Sequence, residues 1–170
     1  HFDGLNLAWE SLEGLVKHSG PVEKKARRHV ALAALTQEMD LMLPTHASLE
    51  AQIAGLSDDI AYNSHDIDDG FSAGLFTLDD LEEVDWVARL IRAKRKAYPL
   101  AAEEIIAQEV IRDVMGVYVQ DVLAETRRRL RALKPACADD IRHAKTMTVA
   151  MSAPMRKKDK ALRAFLWEHF

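Results

Sequence analysis

The sequence predicts an all-α fold, and three observations predict it. Apolar residues recur at spacings of three and four over most of the chain, as on one face of a helix. Glycine and proline fall mainly between those periodic stretches. No stretch alternates apolar and polar residues in the way a half-buried strand does.

The first helix is expected from Leu5, Leu7, Ala8, Leu12, Leu15 and Val16, and Ser19-Gly20-Pro21 supplies the turn that stops it. A second should run from Val22 to Met42, opening on Lys24, Lys25, Arg27 and Arg28 and ending at Pro44. The third begins after Thr45 or Ser48 as caps, carries Leu49, Ile53, Ala54, Leu56, Ile60 and Ala61, and reaches about Gly70. Its last turns hold Asp66, Asp68 and Asp69, negative charges at the end where the helix dipole disfavours them. That conflict marks either a functional demand or a solvated helix end.

Thr77 followed by Asp79 and Asp80 reads as a capped first turn. Val84 to Tyr98 follows as an amphipathic helix closed by Pro99. The longest periodic block spans about Ala101 to Leu133, with a broad apolar face from Ile105 to Leu123, a bend expected near Gly116 and a stop at Lys134-Pro135. A short turn of helix near Ala138 to His143 and a last helix from about Met155 to Phe170 complete the series, and the absence of a stop signal at Phe170 leads us to expect a cut chain.

A length of 170 residues suits one core. No apolar run approaches the roughly 18 residues of a membrane span, so no membrane partner is expected. His1-Phe2-Asp3-Gly4 has neither the basic nor the apolar part of a signal peptide, and a cytoplasmic location is expected. A formal charge of −4 argues against a protein that coats nucleic acid, although local basic clusters can still meet phosphate. Cys137, the single cysteine, has no partner for an internal disulfide and reads as a bystander thiol.

The residues that carry chemistry lie on the third helix. Asp58, Tyr62 and Asp66 are spaced i, i+4 and i+8 and share one face. Carboxylates are hard oxygen ligands for Mg²⁺ or Mn²⁺ and accept hydroxyls from a sugar; a tyrosine offers an aromatic face and a hydroxyl donor. On spacing alone the same pattern also fits a solvated helix surface.

Wider stretches narrow the choice. Glu50-Ala51-Gln52, Asp58-Asp59-Ile60-Ala61-Tyr62-Asn63 and His65-Asp66-Ile67-Asp68-Asp69-Gly70 together resemble the signature of bacterial dGTPase-like, or dNTP triphosphohydrolase, proteins of the HD superfamily. Phe2-Asp3-Gly4-Leu5-Asn6-Leu7, Lys17-His18-Ser19-Gly20-Pro21, Ala73-Gly74-Leu75-Phe76 and Lys160 to Leu166 extend the likeness over nearly the whole chain. The resemblance implies a multi-helix HD-superfamily portion, with residues 1–70 the carboxy-terminal part of the catalytic core and 71–170 a helical phosphohydrolase-associated region. It implies a divalent metal, Mg²⁺, Mn²⁺ or another transition metal, and a deoxynucleoside triphosphate hydrolysed at its α-phosphate to deoxynucleoside and triphosphate.

Residue by residue, Asp58 resembles a metal-ligating aspartate, Tyr62 the residue that packs on the deoxyribose and crowds a 2′-hydroxyl, and Asp66 the acceptor for the 3′-hydroxyl. Lys17 is similar to a lysine near the triphosphate, or is a solvated lysine; His65 approaches the substrate, or is an exposed helix histidine. The family's other metal ligands, a His and an adjacent His-Asp pair, are expected upstream of Phe2, so the chain by itself is expected to be inactive. A second metal set, from His18 or His29 with His65, Asp66 and Asp121, is the weaker reading.

Arg127, Arg128, Arg129 and Arg131 complement the end of the long helix or meet phosphate, from an allosteric nucleotide or single-stranded nucleic acid. Trp9, Trp86 and Trp167 are expected in the core or at a subunit contact of a homo-oligomer. The alternative reading of the whole is a non-catalytic helical module for oligomerisation or nucleic-acid binding.

Overall fold

The computed structural model describes residues 5–22 and 30–170. Within them the chain forms eight α-helices and no strand: α1 (Trp9–Lys17), α2 (Val30–Glu38), α3 (Leu49–Ser72), α4 (Leu78–Leu81), α5 (Asp85–Ala97), α6 (Glu103–Leu133), α7 (Ala138–Arg142) and α8 (Ala153–His169). The all-α expectation holds. None of these helices is long and apolar enough to cross a membrane.

Several ends differ from expectation for identifiable local reasons. Asn6 takes a positive φ of 47° and Ala8 is extended, so α1 starts only at Trp9 and leaves Leu5 and Leu7 exposed off the helix. The helix expected from Val22 to Met42 is seen from Val30 and stops at Glu38; Lys24, Lys25, Arg27 and Arg28 lie outside the described residues. Asp40 Oδ1 accepts the Met42 amide at 2.8 Å in a side-chain turn, and this ends α2 well before Pro44. Beyond Gly70, α3 continues to Ser72 and closes with Gly74 at φ 70°, where the Leu75 amide donates to the Gly70 carbonyl and the Gly74 amide to Phe71. The caps read from the sequence at Ser48 and Thr77 are made: Ser48 Oγ accepts the Ala51 amide, and Thr77 exchanges hydrogen bonds with Asp80. Lys134, at φ 49°, ends α6.

The helices gather into two compact units, His1–Ser57 with Thr126–Ala150, and Asp58–Glu125 with Met151–Phe170. Residue 70, the expected edge of the catalytic-core part, falls inside the second.

In the first unit two charged residues of α1 face inward. Glu13 and Lys17 are fully buried, while Leu15 on the same helix is exposed. Arg142 of α7 donates through Nε and Nη2 to the two Glu13 oxygens at 2.9 and 3.1 Å, and Lys17 Nζ meets Glu13 at 2.7 Å. The Arg142 guanidinium also lies 4.9 Å from the centre of the Trp9 ring. Gln52 of α3 locks the 147–149 segment by accepting the Thr148 and Val149 amides at 2.8 and 3.0 Å while donating to the Ala47 carbonyl. At Gly55 a Cβ would stand 2.5 Å from the His18 carbonyl oxygen, so only glycine lets the end of α1 come this close to α3.

In the second unit the core runs through Ile67, Leu78, Leu81, Val87, Ile91, Ile106, Val110, Val114 and Leu162. Trp86 is buried edge-on to Tyr118, ring centres 5.8 Å apart, and donates Nε1–H to the Lys158 carbonyl. Trp167 is 89% exposed, which overturns a core position for it. Arg95 of α5 ties α4 and α6 through Asp79 and Glu103, both at 2.7 Å.

Burial pushes the Glu13 carboxyl up, but hydrogen bonds and charge from Arg142 and Lys17 outweigh it and hold Glu13 below its ordinary 4.5. A depressed carboxyl stabilises the fold fully above the ordinary value, and that contribution is lost as pH falls through the folded value. Glu13→Ala should destabilise the protein by about 3–5 kcal/mol at neutral pH in denaturant titrations, because two buried cations lose their counter-ion. The difference from the parent should shrink as the titrations move below pH 4.5.

Candidate functional site

Asp58, Tyr62, His65 and Asp66 all belong to α3 and to the second unit. Ile60, Asn63, Ser64, Ile67 and Gly70 form the buried side of the same stretch. At about 100° per residue that buried arc is centred opposite Asp58. Tyr62, His65 and Asp69 lie within about 40° of Asp58, and Asp66 borders the stripe at about 80°. Folding therefore turns one face of α3 wholly inward and leaves the other free.

The roll of the helix is set by a polar contact in the midst of the apolar one. Asn63 Nδ2 donates to Asp159 Oδ1 of α8 at 2.8 Å, and the Tyr118 hydroxyl of α6 donates to the same oxygen at 2.9 Å. Arg163 Nε lies 3.2 Å from Oδ2. Burial, and then the Asp159 charge, push the Tyr118 phenol far above its ordinary range, so it stays a hydrogen-bond donor at any physiological pH. Below the helix, a side chain on Gly70 would overlap the Phe76 ring, and Phe76 packs edge-on against Phe165 at 5.1 Å.

The outward face has no such ties. Tyr62 is 65% exposed, Asp58 and His65 are exposed and Asp66 is half-buried, and none of the four makes a hydrogen bond or ion pair within the described residues. Their neighbour Asp59 does have a cation, Arg163, at 3.6 Å. A solvent-facing tyrosine flanked by unpaired carboxylates can take the apolar face of a sugar, accept its hydroxyls, and offer hard oxygens to a divalent cation.

Lys17 stands in the first unit, and its surroundings account for it without a ligand. Its ammonium donates to the Met42 carbonyl at 3.2 Å, Thr45 Oγ1 at 3.0 Å and the His46 carbonyl at 3.1 Å, besides its pairing with Glu13. The second metal set finds no support: both Asp121 oxygens accept from Ser152, at 2.8 Å from the amide and 2.6 Å from Oγ, and so hold the serine that caps α8. His29 lies outside the described residues. Among the described residues no three His, Cys, Asp or Glu side chains form a group that could hold a metal ion.

Asn63, Tyr118 and Asp159 were not singled out by reading the sequence. Their signal is phase: Asn63 falls in register with Ile60 and Ile67, and Asp159 with Met155, Leu162 and Leu166, so each is a polar residue on an apolar stripe.

The two faces of α3 should respond oppositely to substitution. Tyr62→Ala should leave the melting temperature within what about 0.5 kcal/mol produces, because the residue is 65% exposed. Asn63→Leu leaves acceptors of Asp159 unmet and should cost about 1–3 kcal/mol by thermal or chemical denaturation.

No protein-family model matches the chain. Over 99% of its length it is 43% identical to a deoxyguanosinetriphosphate triphosphohydrolase-like protein of Rhodopseudomonas palustris, covering 44% of that protein. It is 44% identical over 98% of its length to the protein of the same name from Parvibaculum lavamentivorans, and 44% identical over 99% to that of Brucella anthropi, covering 43% of each. The chain thus spans less than half the length of these curated relatives, and along nearly all of its own length it is similar to part of proteins named deoxyguanosinetriphosphate triphosphohydrolase-like.

Proposed function

We propose that this chain supplies the sugar-recognition wall of a metal-dependent hydrolase that splits deoxynucleoside triphosphates, dGTP among them, into deoxynucleoside and triphosphate. The observation that carries the proposal is the outward face of α3, where Tyr62 stands exposed beside Asp58 and Asp66 and none of the three side chains has a polar partner among the described residues. The names of the relatives support the same chemistry.

In this reading the Tyr62 ring packs on the deoxyribose and leaves no room for a 2′-hydroxyl. Asp66, an acceptor when ionised, takes the hydrogen bond of the 3′-hydroxyl. His65, on the same stripe, can donate to or accept from a ligand oxygen according to its protonation state. Asp58 would hold Mg²⁺ or Mn²⁺, a role that suits an exposed carboxylate with no cationic partner among the described residues, with the other ligands coming from outside this chain. Such a metal, when bound, lowers the pKa of a bound water and offsets phosphate charge. Lys17, tied to four oxygens of its own unit, serves the fold under this proposal.

The test uses the longer protein that contains this chain, assayed for triphosphate release from dGTP and GTP with Mg²⁺ or Mn²⁺. Asp58→Ala should lower kcat more than ~100-fold, the equivalent of several kcal/mol of transition-state stabilisation. Tyr62→Ala should narrow the preference for dGTP over GTP, and Asp66→Asn should raise KM roughly tenfold or more for loss of a charged hydrogen bond. Undiminished activity in the Asp58→Ala protein would overturn the reading.

A further inference from the structure

Asp59 and Asn63 lie one turn apart on α3, and each directly follows a residue of the outward face, Asp58 in the one case and Tyr62 in the other. On α8, Asp159 and Arg163 lie one turn apart as well, and the two pairs meet. Asn63 Nδ2 donates to Asp159 Oδ1 at 2.8 Å, and Arg163 Nη2 stands 3.6 Å from Asp59 Oδ1. Arg163 Nε is also 3.2 Å from Asp159 Oδ2, which links the four side chains in series, and the Tyr118 hydroxyl ties them to α6 at 2.9 Å. All five residues belong to the second unit.

A single hold lets a helix pivot about it. Two holds separated by a turn, about 5.4 Å, fix both its roll and its position along its axis. At the outer radius of a helix with its side chains, about 5–6 Å, a roll of about 10° carries a group through about 1 Å. A misplacement of about 1 Å is enough to cost a reaction on the order of a hundredfold. The two holds are unequal in stability. Asp159 is nearly buried, whereas Asp59 and Arg163 are about half exposed, and an ion pair in that setting adds little to the fold. What the outer pair supplies is a second point of constraint beside Asp58.

On the sugar-recognition role of Tyr62 proposed above, we infer that Asp159 and Arg163 of α8 are positioning residues for the choice between deoxyribose and ribose: by gripping Asn63 and Asp59 they hold the Tyr62 ring where it crowds a 2′-hydroxyl. None of the four gripping side chains touches the substrate; they act through Tyr62. dGTP and GTP share base, phosphates and metal, so general damage to the site lowers turnover of both. The ratio of their kcat/KM values moves only with the fit at the 2′ position.

The experiment measures that ratio by triphosphate release with Mg²⁺ or Mn²⁺, in the longer protein that contains this chain. Arg163→Gln should leave the melting temperature nearly unchanged and narrow the preference for dGTP roughly threefold or more. Asn63→Asp sets two carboxylates against each other and should narrow it roughly tenfold or more. In the Asn63→Asp/Asp159→Asn protein the amide and the carboxylate have changed places, and most of the parental preference should return. If Asn63→Asp does not fold, the Arg163→Gln protein decides by itself. With Tyr62→Ala narrowing the preference, a parental ratio in Arg163→Gln, or a swapped protein no more selective than Asn63→Asp, would overturn the positioning role alone. A parental ratio in Tyr62→Ala would remove the sugar-recognition role itself, and the positioning role with it.

Discussion

The second unit depends on the Asp159 carboxylate. Three helices converge on it: α3 through Asn63, α6 through Tyr118, and α8 through Asp159 itself and Arg163. Apolar packing is tolerant of small rotations, since one methyl replaces another at little cost. A hydrogen bond to a nearly buried carboxylate is not, because a rotated helix would leave the acceptor unmet at about 1–3 kcal/mol or more for a charged group. Asn63 follows Tyr62 directly, so fixing the one inward by its side-chain amide fixes the other outward. The exposed stripe is thus a consequence of what happens on the far side of the helix.

The first unit solves a similar problem with full ion pairs. Glu13, Lys17 and Arg142 are buried together, and each is satisfied: Glu13 by two cations, Lys17 by three further oxygens, and Arg142 by Glu13, Asp139 and the Trp9 ring. Such a cluster stabilises mainly because breaking it is costly, and it makes the positions of α1 and α7 specific. Polar groups therefore occur in two conditions in this chain. Those at Glu13, Gln52, Asn63 and Asp159 are matched within the protein and serve the fold. Those at Asp58, Tyr62, His65 and Asp66 have no side-chain hydrogen bond or ion pair among the described residues, and under the proposed function it is these that meet the ligand.

Most helices were legible in the sequence because their punctuation is local. Thr77 with Asp80, Ser48, Pro99 and the Lys134-Pro135 stop each act within a turn of their own position. The failures were local too, but involved side chains whose alternatives look equal in a sequence. Asp40 ends α2 by an Asx-type turn, and Asn6 delays α1 by adopting a positive φ; neither is signalled by hydrophobic period. The α1 face was misjudged for another reason. Leu5, Leu7 and Leu15 suggested the core, whereas Glu13 and Lys17 occupy it, because they pair with each other and Arg142 arrives from 129 residues away to complete the match to Glu13.

For the candidate site, the sequence by itself determined which residues share a face: helical geometry puts Asp58, Tyr62 and Asp66 on one side of α3 wherever that helix sits. It did not determine which way the face points, because burial of a helix surface depends on partners supplied by distant segments. Asp159 lies 96 residues beyond Asn63, and only its arrival at α3 turned Asn63 inward and Tyr62 to solvent. The same holds for the arginine cluster of Arg127, Arg128, Arg129 and Arg131, of which the turn of α6 brings Arg128 and Arg129 to a groove lined also by the 143–148 segment. Periodicity assigns residues to faces. Only long-range packing, through the unequal cost of burying an unmatched polar group, decides which face is left for function.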